Sequence, residues 1–324
     1  MKKLFNVLYV TSEKAYISAE NSNIVVIVDD EQKFKVPIHI LENIICFSYV
    51  GASPSAIKLC GENNVSINFI SPNGKYLGCF IGKRYGSIHV RKEQYRLTLH
   101  EEKSLEIAKL IIMAKSINQK NILERYIRDH NRSDLIVVKN NINTLIKSID
   151  NAKDYKELLG IEGNIAKEYF NVFDNFIKQQ KNDFIFTGRS KRPPMDMVNA
   201  LLSFFYTILT NEYLSAIESV GLDSYAGIYH KDRSGRASLA CDLMEELRAP
   251  MVDRFVINLI NNKIITKKDF VFDISNIPTL KDDSRKKVLQ LWQEKKKEFI
   301  THPFLQEKIE VGLIPYTQAL LFSR

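Results

Sequence analysis

Residues 227–250 read GIYHKDRSGRASLACDLMEELRAP and set one histidine, His230, ahead of three carboxylates, Asp242, Glu245 and Glu246, among several lysines and arginines. Helical spacing starts after Gly235 and continues to about Asn261. At roughly 100° per residue, Leu239, Leu243, Met244, Leu247 and Met251 gather on one broad arc. Asp242 and Glu245 fall outside that arc, roughly 60° apart, and Arg248 lies roughly 60° further round. Two acids and an arginine at this spacing are common on a solvated helix, where each pair contributes only about 0.2–0.5 kcal/mol. A histidine on the segment entering the helix adds a different chemistry. A neutral imidazole nitrogen with carboxylate oxygens is a hard N/O donor set, suited to Mg²⁺ or Mn²⁺ with waters completing the shell. It is not a structural zinc pattern, because no second His or Cys stands near enough in sequence to finish one.

A third acid is available in GIEGNIAKEYF, where Glu162 stands between Ile161 and Gly163 at the expected start of a helix carrying Ala166, Tyr169, Phe170 and Phe173 as its apolar stripe. There it reads either as an acid stabilised by the helix dipole or as a ligand that the neighbouring glycine lets the backbone approach. Downstream, Arg189, Lys191 and Arg192 form a basic knot directly before Pro193-Pro194, a composition suited to phosphate contacts. Tyr206, on the following apolar helix, reads as a core aromatic with a satisfied hydroxyl or as a group beside the site. A second basic patch, KRYGSIHVRKEQYR, includes Arg84 and Arg91 with interleaved tyrosines and reads as a charged hinge or a nucleic-acid contact.

The elements that must position these groups change period along the chain. The first ninety or so residues offer short β-rich runs (LFNVLYV, AYISA, NIVVIVDD, KFKVPIHI, NIICFSYV, VSINFIS, YLGCFIG) separated by turn residues, with one helix expected at SPSAIKLCGENN. From about Gln94 the apolar spacing becomes helical, as in SLEIAKLIIMAKSINQKNILERYI and VNALLSFFYTILTNEYLSAI. The fold class expected is therefore α+β in two domains: residues 1–90 β-sandwich-like, residues 91–324 mostly α-helical. The 324 residues carry a formal net charge of +8, an excess that favours polyanions, nucleic acid above all. The four cysteines share no CxxC spacing and read as small buried hydrophobes of a reducing compartment. No apolar stretch approaches the ~20 residues of a membrane span, and the N-terminal apolar run lacks a cleavage signature, so the chain reads as cytoplasmic with no membrane partner.

GIEGNIAKEYF, RSKRPPMDMVNALLSFFYTIL and GLDSYAGIYHKDRSGRASLACDLMEELRAPMVDRFVINLINN, in that order, resemble the CRISPR-associated endonuclease that serves as the integrase of spacer acquisition. Asn118-Gln119 and HPFLQEK add to the resemblance, whose flavour is similar to the type I-C members. It implies a β-rich dimerisation domain followed by a helical catalytic domain. It also implies that Glu162, His230 and Glu245 hold Mg²⁺ or Mn²⁺, with Asp242 counted beside them as a second acidic position. Arg248 matches a DNA-contacting position and Tyr206 a tyrosine near the active site. Glu rather than Asp at 245 adds a methylene to the family pattern, and the chain ends at LLFSR without the basic tail the resemblance leads one to expect.

The function implied is insertion of short foreign DNA fragments into a CRISPR array by attack of a DNA 3′-hydroxyl on a phosphodiester. The implied partners are double-stranded and branched DNA, a second copy of the chain as homodimer, and the small second adaptation protein. Two other readings stand beside it. One is a structure-selective nuclease on branched DNA, with the same ligands and water as nucleophile. The other is a non-catalytic nucleic-acid scaffold whose acids are merely surface groups.

Overall fold

The computed structural model describes residues 6–12, 14–47, 50–71, 76–82 and 88–324; Arg84 lies outside them. Every β-rich run of the N-terminal segment becomes a strand. They are β1 (Asn6–Val10), β2 (Ala15–Glu20), β3 (Asn23–Val28), β4 (Glu31–Pro37), β5 (Leu41–Cys46), then helix α1 (Pro54–Glu62), β6 (Ser66–Ile70) and β7 (Tyr76–Phe80). Strands β2, β3 and β4 form an antiparallel meander. Its second hairpin closes on Asp29 and Asp30, both at positive φ (51° and 63°), the backbone that a two-residue turn between right-twisted strands requires. The other sheet has the order β1-β5-β6-β7, parallel except for β6–β7, with α1 making the crossover from β5 to β6. Ser53 caps α1 by accepting the Ala56 N–H at 3.1 Å.

One core unites the inward residues of both sheets with α1: Ile17, Ile24, Val26 and Val36 from the meander, Val10, Ile44, Cys46 and Ile67 from the mixed sheet, and Ala56 and Cys60 from the helix. The segment is thus sandwich-like, and the chain as a whole is α+β, strand-rich first and helical after. Cys46 and Cys60 are buried, Cys79 and Cys241 half-buried, and among the described residues none of them forms a disulfide.

Beyond the strands come α2 (Ile88–Leu99), α3 (Glu101–His130), α4 (Ile136–Ser148), α5 (Tyr155–Asn171), α6 (Met197–Ser219), α7 (Ser238–Leu247) and α8 (Arg254–Asn261). The short pair β8 (Phe270–Phe272) and β9 (Pro278–Leu280) follows, then α9 (Asp282–Lys296), the hairpin β10 (Phe299–Thr301) with β11 (Lys308–Glu310), and α10 (Ile314–Phe322). Helix α3, about 45 Å long at 1.5 Å per residue, is the element against which α4, α5 and α7 pack. Among the described residues no helix is long and apolar enough to cross a membrane.

By internal contacts the chain groups into two compact units, one of Met1–Val90, Asn211–Leu222 and Leu280–Arg324, the other of Arg91–Thr210 and Asp223–Thr279. A single division at residues 90/91 differs from this grouping in the placement of Asn211–Leu222 and Leu280–Arg324. Two local expectations are corrected. Helix α5 starts at Tyr155, capped by Asp154 (Oδ1 accepting the Glu157 N–H at 2.8 Å), so Glu162 is inside the helix rather than at its N-terminus. The helix after Ser238 does not run unbroken to Asn261. A π-helical turn at Arg248–Asp253 separates α7 from α8, where Pro250 has no N–H to continue the α-helical ladder.

Candidate active site

On α3 the buried stripe reads Leu105, Ala108, Ile112, Lys115, Gln119, Leu123, Tyr126. A lysine in such a stripe must find an anion, because a buried ammonium without one is far costlier than a leucine. Lys115 finds two. Its Nζ donates to Glu162 Oε1 on α5 and lies 2.9 Å from Glu245 Oε2 on α7. Glu245 is 4% exposed. Its Oε1 accepts from Arg248 Nη1 at 2.7 Å, while its Oε2 has the ammonium near it but no hydrogen bond of acceptable geometry. Burial works to raise the Glu245 pKa, but Arg248 and Lys115 outweigh it and leave the carboxyl at about 2. The Tyr229 hydroxyl approaches Glu162 Oε2 at 3.4 Å. Burial, reinforced by Glu162 and Glu245, pushes the Tyr229 pKa well up, so the phenol stays protonated as a donor.

His230 sits on a loop wound around Asp242. The Asp242 side chain is fully buried, and each of its oxygens takes two donors. Oδ2 accepts the N–H groups of Ile228 (2.6 Å) and Tyr229 (3.0 Å); Oδ1 accepts the His230 N–H (2.9 Å) and pairs with His230 Nδ1 (2.6 Å). A carboxylate can only accept, so the neutral ring carries its proton on Nδ1 and its lone pair on Nε2. The loop requires Gly227. A Cβ there would stand 2.5 Å from the His230 carbonyl oxygen and 2.5 Å from Ser238 Cβ. The glycines flanking Glu162 are different, since a Cβ at Gly160 or Gly163 meets nothing within 4 Å. Close backbone approach is therefore not their role.

The π turn grips Tyr206 from both ends. At 3.6 residues per turn, positions 248 and 253 would diverge by roughly 140°; the wider π turn brings them to one side. The Arg248 guanidinium lies 4.2 Å from the Tyr206 ring centroid, and the Tyr206 hydroxyl donates to Asp253 Oδ1 at 2.5 Å. Tyr169 donates to Asp253 Oδ2 at 2.9 Å. Burial raises Asp253 to about 6 despite the two phenols, Arg248 and Arg189. Tyr206 is thus a buried aromatic with a satisfied hydroxyl, and it supports Arg248.

The basic residues divide by accessibility. Arg189 is turned inward, donating to Asn199 Oδ1 (2.7 Å) and Ser203 Oγ (3.1 Å). Arg248 is largely occupied by Glu245 and Tyr206. Arg91, on α2, is buried, with Nε and Nη2 lacking hydrogen-bond partners among the described residues. Lys191 and Arg192 are exposed. Although Lys191 presents part of its length to solvent, its pKa is lowered, first by desolvation and then by Arg248, Arg189 and Lys115. That places its ammonium in a field of positive charge.

Glu162 and Glu245 therefore converge from two helices on a single cation. The His230 ring is aimed by a buried acid, Asp242. This is not the arrangement of a scaffold with acids at its surface, since Asp242 and Glu245 are both buried. Among the described residues no group of three His, Cys, Asp or Glu closes to metal-binding distance, and the place between the two carboxylates is held by the Lys115 ammonium. The donor set nonetheless fits a hard divalent ion. It offers two carboxylates already gathered around positive charge, one buried carboxylate oxygen without a hydrogen bond, and an imidazole with its lone pair on Nε2. Sequence periodicity missed Lys115 and Asp253. The signal for Lys115 was present as an interruption of the α3 apolar stripe; the grip of Asp253 on Tyr206 required the π turn.

A family model described as "CRISPR associated protein Cas1" matches residues 8–294. The protein named CRISPR-associated endonuclease Cas1 1 of Chlorobaculum tepidum is 40% identical over 328 residues, spanning 100% of this chain and 96% of its own. Among solved structures, a casposase bound to integration product is similar with a TM-score of 0.87 at 23% identity, over 98% of this chain and 90% of that one. The Cas6-RT-Cas1–Cas2 complex is similar with a TM-score of 0.86 at 24% identity, over 100% of this chain and 35% of that one. At these identities the two structures speak for the fold.

Proposed function

The chain belongs to the CRISPR-associated Cas1 family, and from that premise we propose that it is a metal-dependent DNA endonuclease and integrase that inserts short DNA fragments into a CRISPR array. The observation that carries the reading is the convergence of Glu162 and Glu245 on one cation beside an imidazole fixed by Asp242. Glu162, Glu245 and His230 Nε2 would hold Mg²⁺ or Mn²⁺, which when bound supplies charge neutralisation at an attacked phosphodiester. Asp242 fixes the His230 ring and its tautomer, and Arg248 holds Glu245 in place. Lys191 and Arg192 bind backbone phosphates, joined by Arg84 from the basic patch. In the joining reaction a DNA 3′-oxygen forms a bond to the target phosphorus, and the bond from phosphorus to the target's own 3′-oxygen breaks. The proton lost by the incoming hydroxyl is balanced by one gained at the leaving oxygen. One phosphodiester replaces another, so the protein's contribution is mainly alignment.

Water in place of the 3′-hydroxyl makes the same site a nuclease on branched DNA; nuclease activity in general is what the name of the 40%-identical relative states. The proposed assembly is a homodimer through residues 1–90, joined by the small second adaptation protein; the Cas6-RT-Cas1–Cas2 complex is a precedent for such a partner. The test combines purified chain, the small partner, a labelled fragment and repeat-containing target. Joining is expected with Mg²⁺ or Mn²⁺ and not with EDTA, and His230→Ala is expected to abolish it. Joining by His230→Ala at the wild-type rate contradicts the assignment. Cleavage of branched DNA without joining under the same conditions favours the nuclease.

A further inference from the structure

The Lys115 ammonium stands between two carboxylates, contributed by a helix that could have carried an apolar residue at that position. Its neighbours on the stripe are Ile112 and Gln119, and its side chain is 8% exposed. It is not there for phosphate at the surface, since its ammonium points to Glu162 Oε1 and Glu245 Oε2. The two contacts are unequal. The one to Glu162 is a hydrogen bond, whereas Glu245 Oε2 meets the ammonium as an ion pair at 2.9 Å. Glu245 keeps a second, independent anchor in Arg248. Removing the ammonium therefore leaves Glu245 in position, with its Oε2 turned to the vacated place.

We propose that Lys115 is the site's built-in counter-cation: its ammonium stands between Glu162 and Glu245, and a divalent cation must displace it to bind. The inference rests on the reading of Glu162, His230 and Glu245 as the metal-binding set, and it concerns what that set holds before a metal arrives. Two positive groups cannot share two carboxylates at contact distance without strong repulsion. Metal loading is then a competition with an intramolecular cation. Without metal, the same cation keeps two acids from repelling each other. A purely structural lysine makes the opposite prediction, because losing it would spread the carboxylates and weaken metal binding.

The sign of the effect decides. Mn²⁺ affinity is measured on the full-length chain by the loss of free-Mn²⁺ electron paramagnetic resonance signal, for wild type and for Lys115→Met, which keeps the length without the charge. The variant is expected to bind at least about tenfold more tightly. Equal or weaker binding by the variant overturns the proposal, while absence of Mn²⁺ binding by wild type overturns the metal reading and the proposal together. A second readout needs no variant. Amine-directed acetylation of wild type, read by mass spectrometry, is expected to leave Lys115 unmodified without metal and to modify it once Mn²⁺ saturates the protein. Continued protection of Lys115 at saturation counts against displacement, and this readout decides if Lys115→Met does not fold.

Discussion

Asp242 satisfies four donors with two oxygens and has no exposed surface, so it acts on the chemistry by way of His230. Second partners of this kind set the tautomer and basicity of a ligating imidazole. Asp242→Asn is expected to lower Mn²⁺ affinity by about 10–100-fold while leaving far-ultraviolet circular dichroism unchanged. Unchanged affinity in a titration would return Asp242 to a purely structural role. The spacing of His230, Asp242 and Glu245 was legible as a carboxylate cluster next to a histidine, and the family resemblance marked those residues together with Glu162. The division of labour among them was not legible. Which carboxylate faces the metal and which faces the imidazole depends on how the 227–232 loop winds. That winding is set by Gly227 and by three backbone N–H groups rather than by helical phase.

At the scale of elements, the π turn gives the site a rigid backing. It places Arg248 against the Tyr206 ring and Asp253 at its hydroxyl, and Arg248 in turn orients Glu245. The Asp253 carboxyl is raised by burial from an ordinary 3.8 to about 6, so the folded state favours its acid form. Above pH 6 this group opposes folding, and the opposition is relieved as pH falls from 6 to 3.8. The upper bound is about 3 kcal/mol at 1.36 kcal/mol per pKa unit. Urea unfolding followed from pH 7 to pH 5 is expected to show a gain in stability that Asp253→Asn lacks; an identical pH profile in the variant would contradict this. The helical period was readable from Gln94 onward, but two details escaped it. The expected start of α5 at Glu162 came too late; the helix runs through Gly160 and Gly163, since a glycine inside a helix costs only about 1 kcal/mol and packing against α3 and α4 offsets it. The π turn escaped because Pro250 reads equally as a kink, a stop or a local widening.

Over the whole molecule, the excess of eight positive charges matters through where its accessible members sit. Lys191 and Arg192 are exposed, whereas Arg189, Arg248 and Arg91 are taken inward. Replacing Lys191 and Arg192 together by Ala is expected to weaken binding of a duplex fragment and to reduce the salt slope by roughly 1.8, at about 0.9 per phosphate contact. Filter binding between 50 and 200 mM salt reads this directly, and an unchanged slope would remove both residues from the interface. The succession of a strand-rich segment and a helical one was legible from the change of apolar period near residue 90. The grouping of Asn211–Leu222 and Leu280–Arg324 with the N-terminal strands was not, because local period says what an element is and not which core it joins.

The central claim is that Glu162, His230 and Glu245 hold one divalent ion in place of the Lys115 ammonium. The most direct measurement is anomalous diffraction at the manganese edge from crystals grown with Mn²⁺. A single strong peak is expected at ~2.0–2.6 Å from oxygens of Glu162 and Glu245 and from His230 Nε2, with Lys115 turned away. A saturated crystal with no peak there, or with Lys115 still bridging the two glutamates, would contradict the claim.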